Sequence, residues 1–179
     1  RTATPPRAVR AAEWPYAVML SLRVAPGSAA ARRIEERLGA ALPGHCGRTA
    51  SAGAGTVLWL GPDEWLLVTP PGERPRTAEL HRALDGAPGS VVDVSAHRTV
   101  VELSGPSARD VLEKGCALDL HPRAFGSGRA FATRLGPVQV VLWHTAEDIW
   151  RLLPRASFAD YLARWLIDAM GEYARPEVR

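Results

Sequence analysis

Apolar and polar positions alternate along Tyr16–Val24 (YAVMLSLRV), a period of two that predicts a strand with one buried face. Ser28 then opens a stretch in which Ala31, Ile34, Leu38 and Leu42 recur at helical spacing, so a helix follows. Gly44 to Gly55 is rich in Gly, Ala and Ser and reads as a loop. Thr56–Leu60 and Glu64–Thr69 form a hairpin around Gly61-Pro62-Asp63, and Pro75–Leu84 gives a short helix with Leu80, Ala83 and Leu84 inward. After a strand at Val91–Val94 the order recurs. Val100–Leu103 is a strand, Pro106–Lys114 a helix, Val138–Trp143 and Ile149–Leu153 a hairpin around Thr145–Asp148, and Phe158–Met170 a closing helix. Trp59 and Trp65 flank the first hairpin turn as Trp143 and Trp150 flank the second. The chain therefore reads as α+β: two related split β-α-β-β-α units forming one or more antiparallel-rich sheets, with helices packed on one face. Residues 1–15 form an N-terminal arm without its own core, 16–90 the first half, 91–171 the second half and 172–179 a C-terminal tail.

Local punctuation is densest between Val91 and Phe125. Ser95, Ala96, His97 and Arg98 make a tight connection between the strands on either side. Ser104 or Gly105 caps the next helix, Pro106 suits its first turn, and Gly115 supplies a left-handed residue at its end. Ala108, Val111 and Leu112 share one face of it. In the closing helix Phe158, Tyr161, Leu162, Trp165 and Ala169 share a face, and Ser157 with Asp160 resembles a capping box. Asp93 sits inside an apolar strand, where a carboxylate needs partners: it is a ligand or catalytic group, or a turn-former bound by the Ser95 and His97 amides or by Arg98. The turn-former is favoured, so Asp93, Ser95, His97 and Arg98 are expected to hold a structural turn.

Composition narrows the function classes. A chain of 179 residues is the size of one domain, or of two small halves sharing a sheet. Net charge is +3, but the arginines are scattered among acids and Lys114 is the only lysine, so no nucleic-acid surface is expected. No apolar run approaches the roughly 20 residues that cross a bilayer, and Arg1–Arg10 is followed by no apolar signal core. Cys46 and Cys116 are too few for a disulfide framework. These features lead to the expectation of a cytoplasmic protein with no membrane contact.

Candidate chemistry is sparse. His97, Cys116, Asp119 and His121 are of metal-ligating type, but there is no C-x-x-C or H-x-x-x-H spacing, and Cys116 reads as a small core residue. No G-x-G-x-x-G or G-x-x-x-x-G-K-[ST] phosphate cradle occurs, and Gly126-Ser127-Gly128 is a plain turn. The six tryptophans are expected in the core or at an interface, with Trp14 on the arm.

The pieces Asp93-Val94-Ser95, His97-Arg98, Glu102-Leu103-Ser104-Gly105-Pro106, Lys114-Gly115-Cys116 and Leu118-Asp119-Leu120-His121-Pro122-Arg123 follow one another in an order that resembles the gamma-subunit family of heterotetrameric sarcosine oxidase. Asp93-Val94-Ser95 and Leu103-Ser104-Gly105-Pro106-Ser107-Ala108 are also similar to the wider folate-binding aminomethyltransferase superfamily, which includes the glycine cleavage T-protein. The likeness runs from Leu58–Trp65 to Ser157–Leu162.

The resemblance implies a non-catalytic gamma subunit of a complex that oxidatively demethylates sarcosine to glycine, giving hydrogen peroxide and a one-carbon unit for tetrahydrofolate. It implies partners in alpha, beta and delta subunits. NAD, FAD, FMN and tetrahydrofolate sites are expected in the first two, zinc in the delta subunit, and no cofactor in this chain. The T-protein carries a glycine turn followed by paired aspartates, one catalytic, whereas the corresponding residues here are Gly136, Pro137, Val138, Gln139 and Val140. Neither an amide nor a valine can accept a proton as that carboxylate does. The alternative is a stand-alone folate-binding aminomethyltransferase-like protein with an acid from Glu102, Asp119 or Glu147, and a third reading is a small-molecule module built on the tryptophans. For a subunit, the expected interface residues are Trp14, His121, Arg123 and Phe125, aromatic or arginine-bearing positions outside regular elements.

Overall fold

The computed structural model describes residues 8–73 and 76–174. The elements in chain order are β1 (Arg10–Glu13), β2 (Val18–Val24), α1 (Ala29–Leu38), β3 (Thr49–Ala52), β4 (Gly55–Gly61), β5 (Glu64–Thr69), α2 (Thr77–Leu84), β6 (Gly89–Asp93) and β7 (Val101–Ser104). They continue as α3 (Ala108–Glu113), β8 (Arg129–Leu135), β9 (Val138–Ala146), β10 (Ile149–Pro154) and α4 (Ala159–Ala169), with 3₁₀ turns at Ala156–Phe158 and Gly171–Ala174. The chain divides into two compact units, one of Pro15–Arg98 with Gly128–Phe131, the other holding Trp14 and its described predecessors, Thr99–Ser127 and the described residues from Ala132 onward.

The first unit carries a five-stranded sheet in the order β3-β4-β5-β2-β6. Its β2–β5, β2–β6, β3–β4 and β4–β5 ladders are all antiparallel. Helix α1 starts where the Ser28 hydroxyl accepts from the Ala31 amide at 3.1 Å and ends on Gly39 at φ 67, a left-handed conformation that glycine adopts at little cost. Leu42, expected on this helix, lies beyond that cap. Ala30, Ala31, Ile34 and Leu38 of α1 and Leu80, Ala83 and Leu84 of α2 join Leu20, Leu22, Val57, Trp65, Leu67 and Val91 in one buried core. Removing a fully buried leucine such as Leu80 costs about 2–5 kcal/mol. Two polar contacts complete it. The Trp65 indole donates to the Pro43 carbonyl at 2.8 Å, and the Arg33 guanidinium donates to the Ala83 and Leu84 carbonyls at 2.7 and 2.8 Å, satisfying the exposed end of α2.

The second unit carries a five-stranded sheet in the order β1-β7-β10-β9-β8. Its core includes Leu103, Ala108, Val111, Leu112, Leu120, Phe125, Trp150, Leu152, Leu162 and Leu166. The two sheets have one plan: β3, β4, β5, β2 and β6 occupy the places that β8, β9, β10, β7 and β1 occupy in the other. The fifth strand is exchanged. β6 precedes β7 in the chain but pairs with β2, and β1 precedes β2 but pairs with β7.

Three further expectations need correction. Arg10–Glu13 is a strand on β7, not part of an arm. β3 lies inside the stretch read as a loop, and β8 begins directly after Gly128; Thr49-Ala50-Ser51-Ala52 carries too little apolar contrast for a period of two to register. The Ser95–Arg98 connection joins β6 to β7, strands of different sheets. α4 buries Leu162, Leu166 and Ala169, while Phe158 and Tyr161 are 46% and 49% exposed and Trp165 is half-buried. Its stripe runs one residue aside from the aromatic positions, and no side-chain cap at Ser157 holds its start.

Candidate interaction surface

The motif Asp93-Val94-Ser95 closes the β2–β6 ladder. Leu20 faces Asp93 in register, and the Val94 amide donates to the Met19 carbonyl at 2.9 Å. Ser95 then continues the ladder with its side chain: its hydroxyl accepts from the Met19 amide at 3.0 Å and donates to Asp93 Oδ1 at 2.6 Å. The same Oδ1 accepts the Ser95 amide at 2.9 Å. Asp93 is exposed rather than buried, and the Ser95 hydroxyl, followed by the Ser95 amide, holds its carboxyl below the ordinary aspartate range. The His97 amide goes to the Val94 carbonyl at 2.9 Å, not to Asp93, and the His97 ring is exposed while Arg98 is half-buried.

Ser104-Gly105-Pro106 serves a close backbone approach in the second unit. Gly105 has φ 118, and a β-carbon there would lie 2.6 Å from the Ala8 carbonyl oxygen. Its amide donates to the Asp148 carbonyl and the Ser107 amide to Ala8 O, both at 2.9 Å. The turn thus seats the residue that leads into β1. Helix α3 follows with neither Ser104 nor Gly105 as its side-chain cap, and Gly115 is not in the left-handed region. Gly115 is needed for space: the Trp165 ring would lie 2.6 Å from a β-carbon there.

The segment Asp119–Phe125 is a compact turn anchored at both ends. Leu120 and Phe125 are buried, whereas His121, Pro122 and Arg123 face solvent between them. Asp119 Oδ1 accepts the His121 amide at 2.8 Å, and the Ala124 and Phe125 amides both donate to the His121 carbonyl, at 2.8 and 2.9 Å. His121 Nδ1 accepts the Arg123 amide at 3.3 Å, which leaves the Arg123 guanidinium presented outward. Phe125, expected at an interface, is instead a core residue at 1% exposure. Its ring meets Trp150 edge-on at 5.1 Å.

Sequence reading missed His144, 6% exposed and stacked on Trp150 with ring centroids 3.9 Å apart. Its Nδ1 lies 3.1 Å from the Phe125 carbonyl, which can only accept, so the proton sits on Nδ1. A lone histidine inside the apolar run Val138–Trp143 and onward was the signal. On the opposite face of β10, Arg151 stacks over Trp14 at 3.9 Å and lies 5.2 Å from the Trp143 ring centroid, while its Nε bonds Glu102 at 3.1 Å. Trp14 is therefore a half-buried partner of Arg151 at the end of β1, and its amide donates to the Val100 carbonyl at 2.8 Å. Trp14 and Phe125 pack on opposite faces of the sheet, so the four expected interface residues do not form one patch.

At the β8–β9 turn, Gly136 has φ 56, Val138 and Val140 are buried, and Gln139 points outward. No carboxylate stands at these five positions. Of the other acids considered, Glu102 is bound by Arg151, Asp119 by the His121 amide, and Glu147 is exposed in the β9–β10 turn. No group of three or more His, Cys, Asp or Glu that could hold a metal ion occurs among the described residues, and no helix there is long and apolar enough to cross a membrane.

The model of the sarcosine oxidase gamma subunit family matches residues 23–172. Sarcosine oxidase subunit gamma of Arthrobacter sp is 50% identical over 167 residues, covering 93% of this chain and 82% of that protein. The gamma subunit of Corynebacterium sp. (strain P-1) is 47% identical over 171 residues, with 95% and 84% covered. Among solved structures, a chain of the heterotetrameric sarcosine oxidase from Corynebacterium sp. U-96, in complex with pyrrole 2-carboxylate, is 45% identical with a TM-score of 0.91, over 97% of this chain and 89% of that one. Aminomethyltransferase T of the glycine cleavage system from Bartonella henselae shares the fold, with a TM-score of 0.68 at 16% identity, over 89% of this chain and 45% of that one. The family model covers most of the chain and relatives at this identity cover more than nine-tenths of it, so the chain belongs to the sarcosine oxidase gamma subunit family.

Proposed function

We propose that this chain is the gamma subunit of a heterotetrameric sarcosine oxidase, placed in the cytoplasm and assembled with alpha, beta and delta subunits. In this reading the complex oxidises sarcosine to glycine, reduces oxygen to hydrogen peroxide and passes the one-carbon unit to tetrahydrofolate. FAD, FMN, NAD, tetrahydrofolate and zinc belong to the other subunits, and this chain contributes structure. The observation that carries the reading is the 45% identity and TM-score of 0.91 over 97% of the chain to a chain of such a complex. The buried valines and outward Gln139 at the β8–β9 turn support a role other than acid–base catalysis there.

The anchored Asp119–Phe125 turn is a suitable contact, because its exposed tip is held without further ordering and so loses little entropy on docking. Coexpression of the four subunits, with a tag on this chain, tests the reading. Retention of all four in fixed ratio, with flavin absorbance and sarcosine-dependent peroxide, is the expected result. Assembly of the other three without this chain overturns it. Arg123→Ala should weaken that retention and leave the melting temperature of the chain within about one degree, since the side chain is exposed. A lowered melt with unchanged retention would assign Arg123 an internal role.

A further inference from the structure

We propose that the β8–β9 turn and the start of α4 form a docking surface for an acidic segment of a larger partner subunit, an inference that rests on the assembly proposed above. Arg134, Pro137, Gln139, Arg155 and Phe158 line a depression of about 350 Å³. Arg134 and Arg155 are exposed, and neither guanidinium has a hydrogen-bond or ion-pair partner among the described residues. Five other arginines, Arg23, Arg33, Arg76, Arg151 and Arg164, are each paired with a carboxylate. Asp160, the nearest acid along the chain from Arg155, is already taken by Arg164 Nε at 2.9 Å. Among the described residues no carboxylate lines the depression, so none of them compensates its positive charge there.

The patch also leaves two large rings in water. Phe158 is 46% exposed and Tyr161, three residues further along, is 49% exposed. Arginine beside aromatic rings is the composition enriched at the buried centre of protein interfaces. Each guanidinium presents paired donors that match a carboxylate, so the complement is a segment with two acids around an apolar side chain. The surface is set before binding. Gly136 and Pro137 fix the turn, Val138 and Val140 bury the strand behind it, and Pro154 is buried next to Arg155.

The experiment compares three forms of the chain, wild type, Arg134→Glu with Arg155→Glu, and Phe158→Ala, for association with the other subunits over a range of ionic strength. Thermal melts and hydrogen exchange of the wild-type complex accompany it. The charge-reversed chain should associate at least about tenfold more weakly at low salt, with a flatter salt dependence. Phe158→Ala should weaken association roughly tenfold while keeping the salt dependence. Both variants should melt like wild type, and residues 134–139 and 155–161 should gain protection on assembly. Wild-type association by the charge-reversed chain, or unprotected amides in both segments, overturns the surface and leaves the subunit reading intact. Failure of the wild-type chain to join the complex removes both.

Discussion

Gly115→Ala isolates a single steric contact. A β-carbon at this position would lie 2.6 Å from Trp165 Cζ2 and 3.2 Å from the Gly136 backbone nitrogen. The backbone cannot step aside, because the Gly115 amide donates to the Leu112 carbonyl at 3.1 Å and the Gly136 amide donates to the Gly115 carbonyl at 2.9 Å. Gly115 has no positive φ, so alanine meets no conformational penalty and the effect is overpacking alone. Inserting one carbon into a packed site costs about 1–3 kcal/mol. For a chain of this size each kcal/mol lowers the melting temperature by roughly 2–4 °C.

Trp165→Ala should cost less than the roughly 3–5 kcal/mol of a fully buried tryptophan, since its ring is only half-buried. Truncating the ring also vacates the space that the new methyl needs. The double variant should therefore cost about 1–2 kcal/mol less than the sum of the singles. Urea unfolding of the four proteins, followed by far-ultraviolet circular dichroism, closes the cycle. Additivity within about 0.5 kcal/mol, or a near-neutral Gly115→Ala, would refute the contact.

Gly105→Ala should destabilise by about 2–4 kcal/mol, combining φ 118 with a β-carbon 2.6 Å from Ala8 O, and should speed amide exchange at Arg10–Glu13; unchanged exchange there contradicts the seating of β1. Asp93 titrates below its ordinary value because the Ser95 hydroxyl and amide bind the charged form. A depressed folded value stabilises above the unfolded carboxylate range and is lost as pH falls through the folded one, so Asp93→Asn should flatten the acid limb of the stability curve, and an unchanged limb counts against the turn.

Much of the fold was legible because its signals are local. Ser28 capping α1, Gly61-Pro62-Asp63 between β4 and β5, and the inward Leu80, Ala83 and Leu84 all follow from residue chemistry within a few positions. β3 and β8 were hidden for the opposite reason. Both are edge strands, and Thr49-Ala50-Ser51-Ala52 and Arg129-Ala130-Phe131-Ala132 carry little apolar contrast for a period of two to register. At the candidate surface, the anchored Asp119–Phe125 turn had a recognisable sequence, but which residues point out depends on the buried ends. Phe125 and His121 look equally interface-like in sequence, and only Phe125 packs on Trp150 and His144. Arg134 and Arg155 carry no motif at all. Their significance comes from the acids that fold up elsewhere.

The exchanged fifth strands explain why the boundary between the halves resisted sequence reading. Strand ladders are made of backbone hydrogen bonds, which are the same for every residue type except proline, so a strand's sequence can announce its existence without naming its partner. Gly89–Asp93 reads equally well as the last strand of one half or the first of the next. A boundary between residues 90 and 91 would cut β6 itself, while a first half that kept β1 would strip β7 of its neighbour. Each sheet would then expose a strand edge where a ladder now runs, the arrangement that natural folds avoid by pairing or covering such edges. The motif Asp93-Val94-Ser95 stands at the point where β6 leaves its ladder, and Ser104-Gly105-Pro106 at the point where the chain before β1 is seated. These two motifs therefore hold the chain where each exchanged strand is joined to its ladder, a structural task for both.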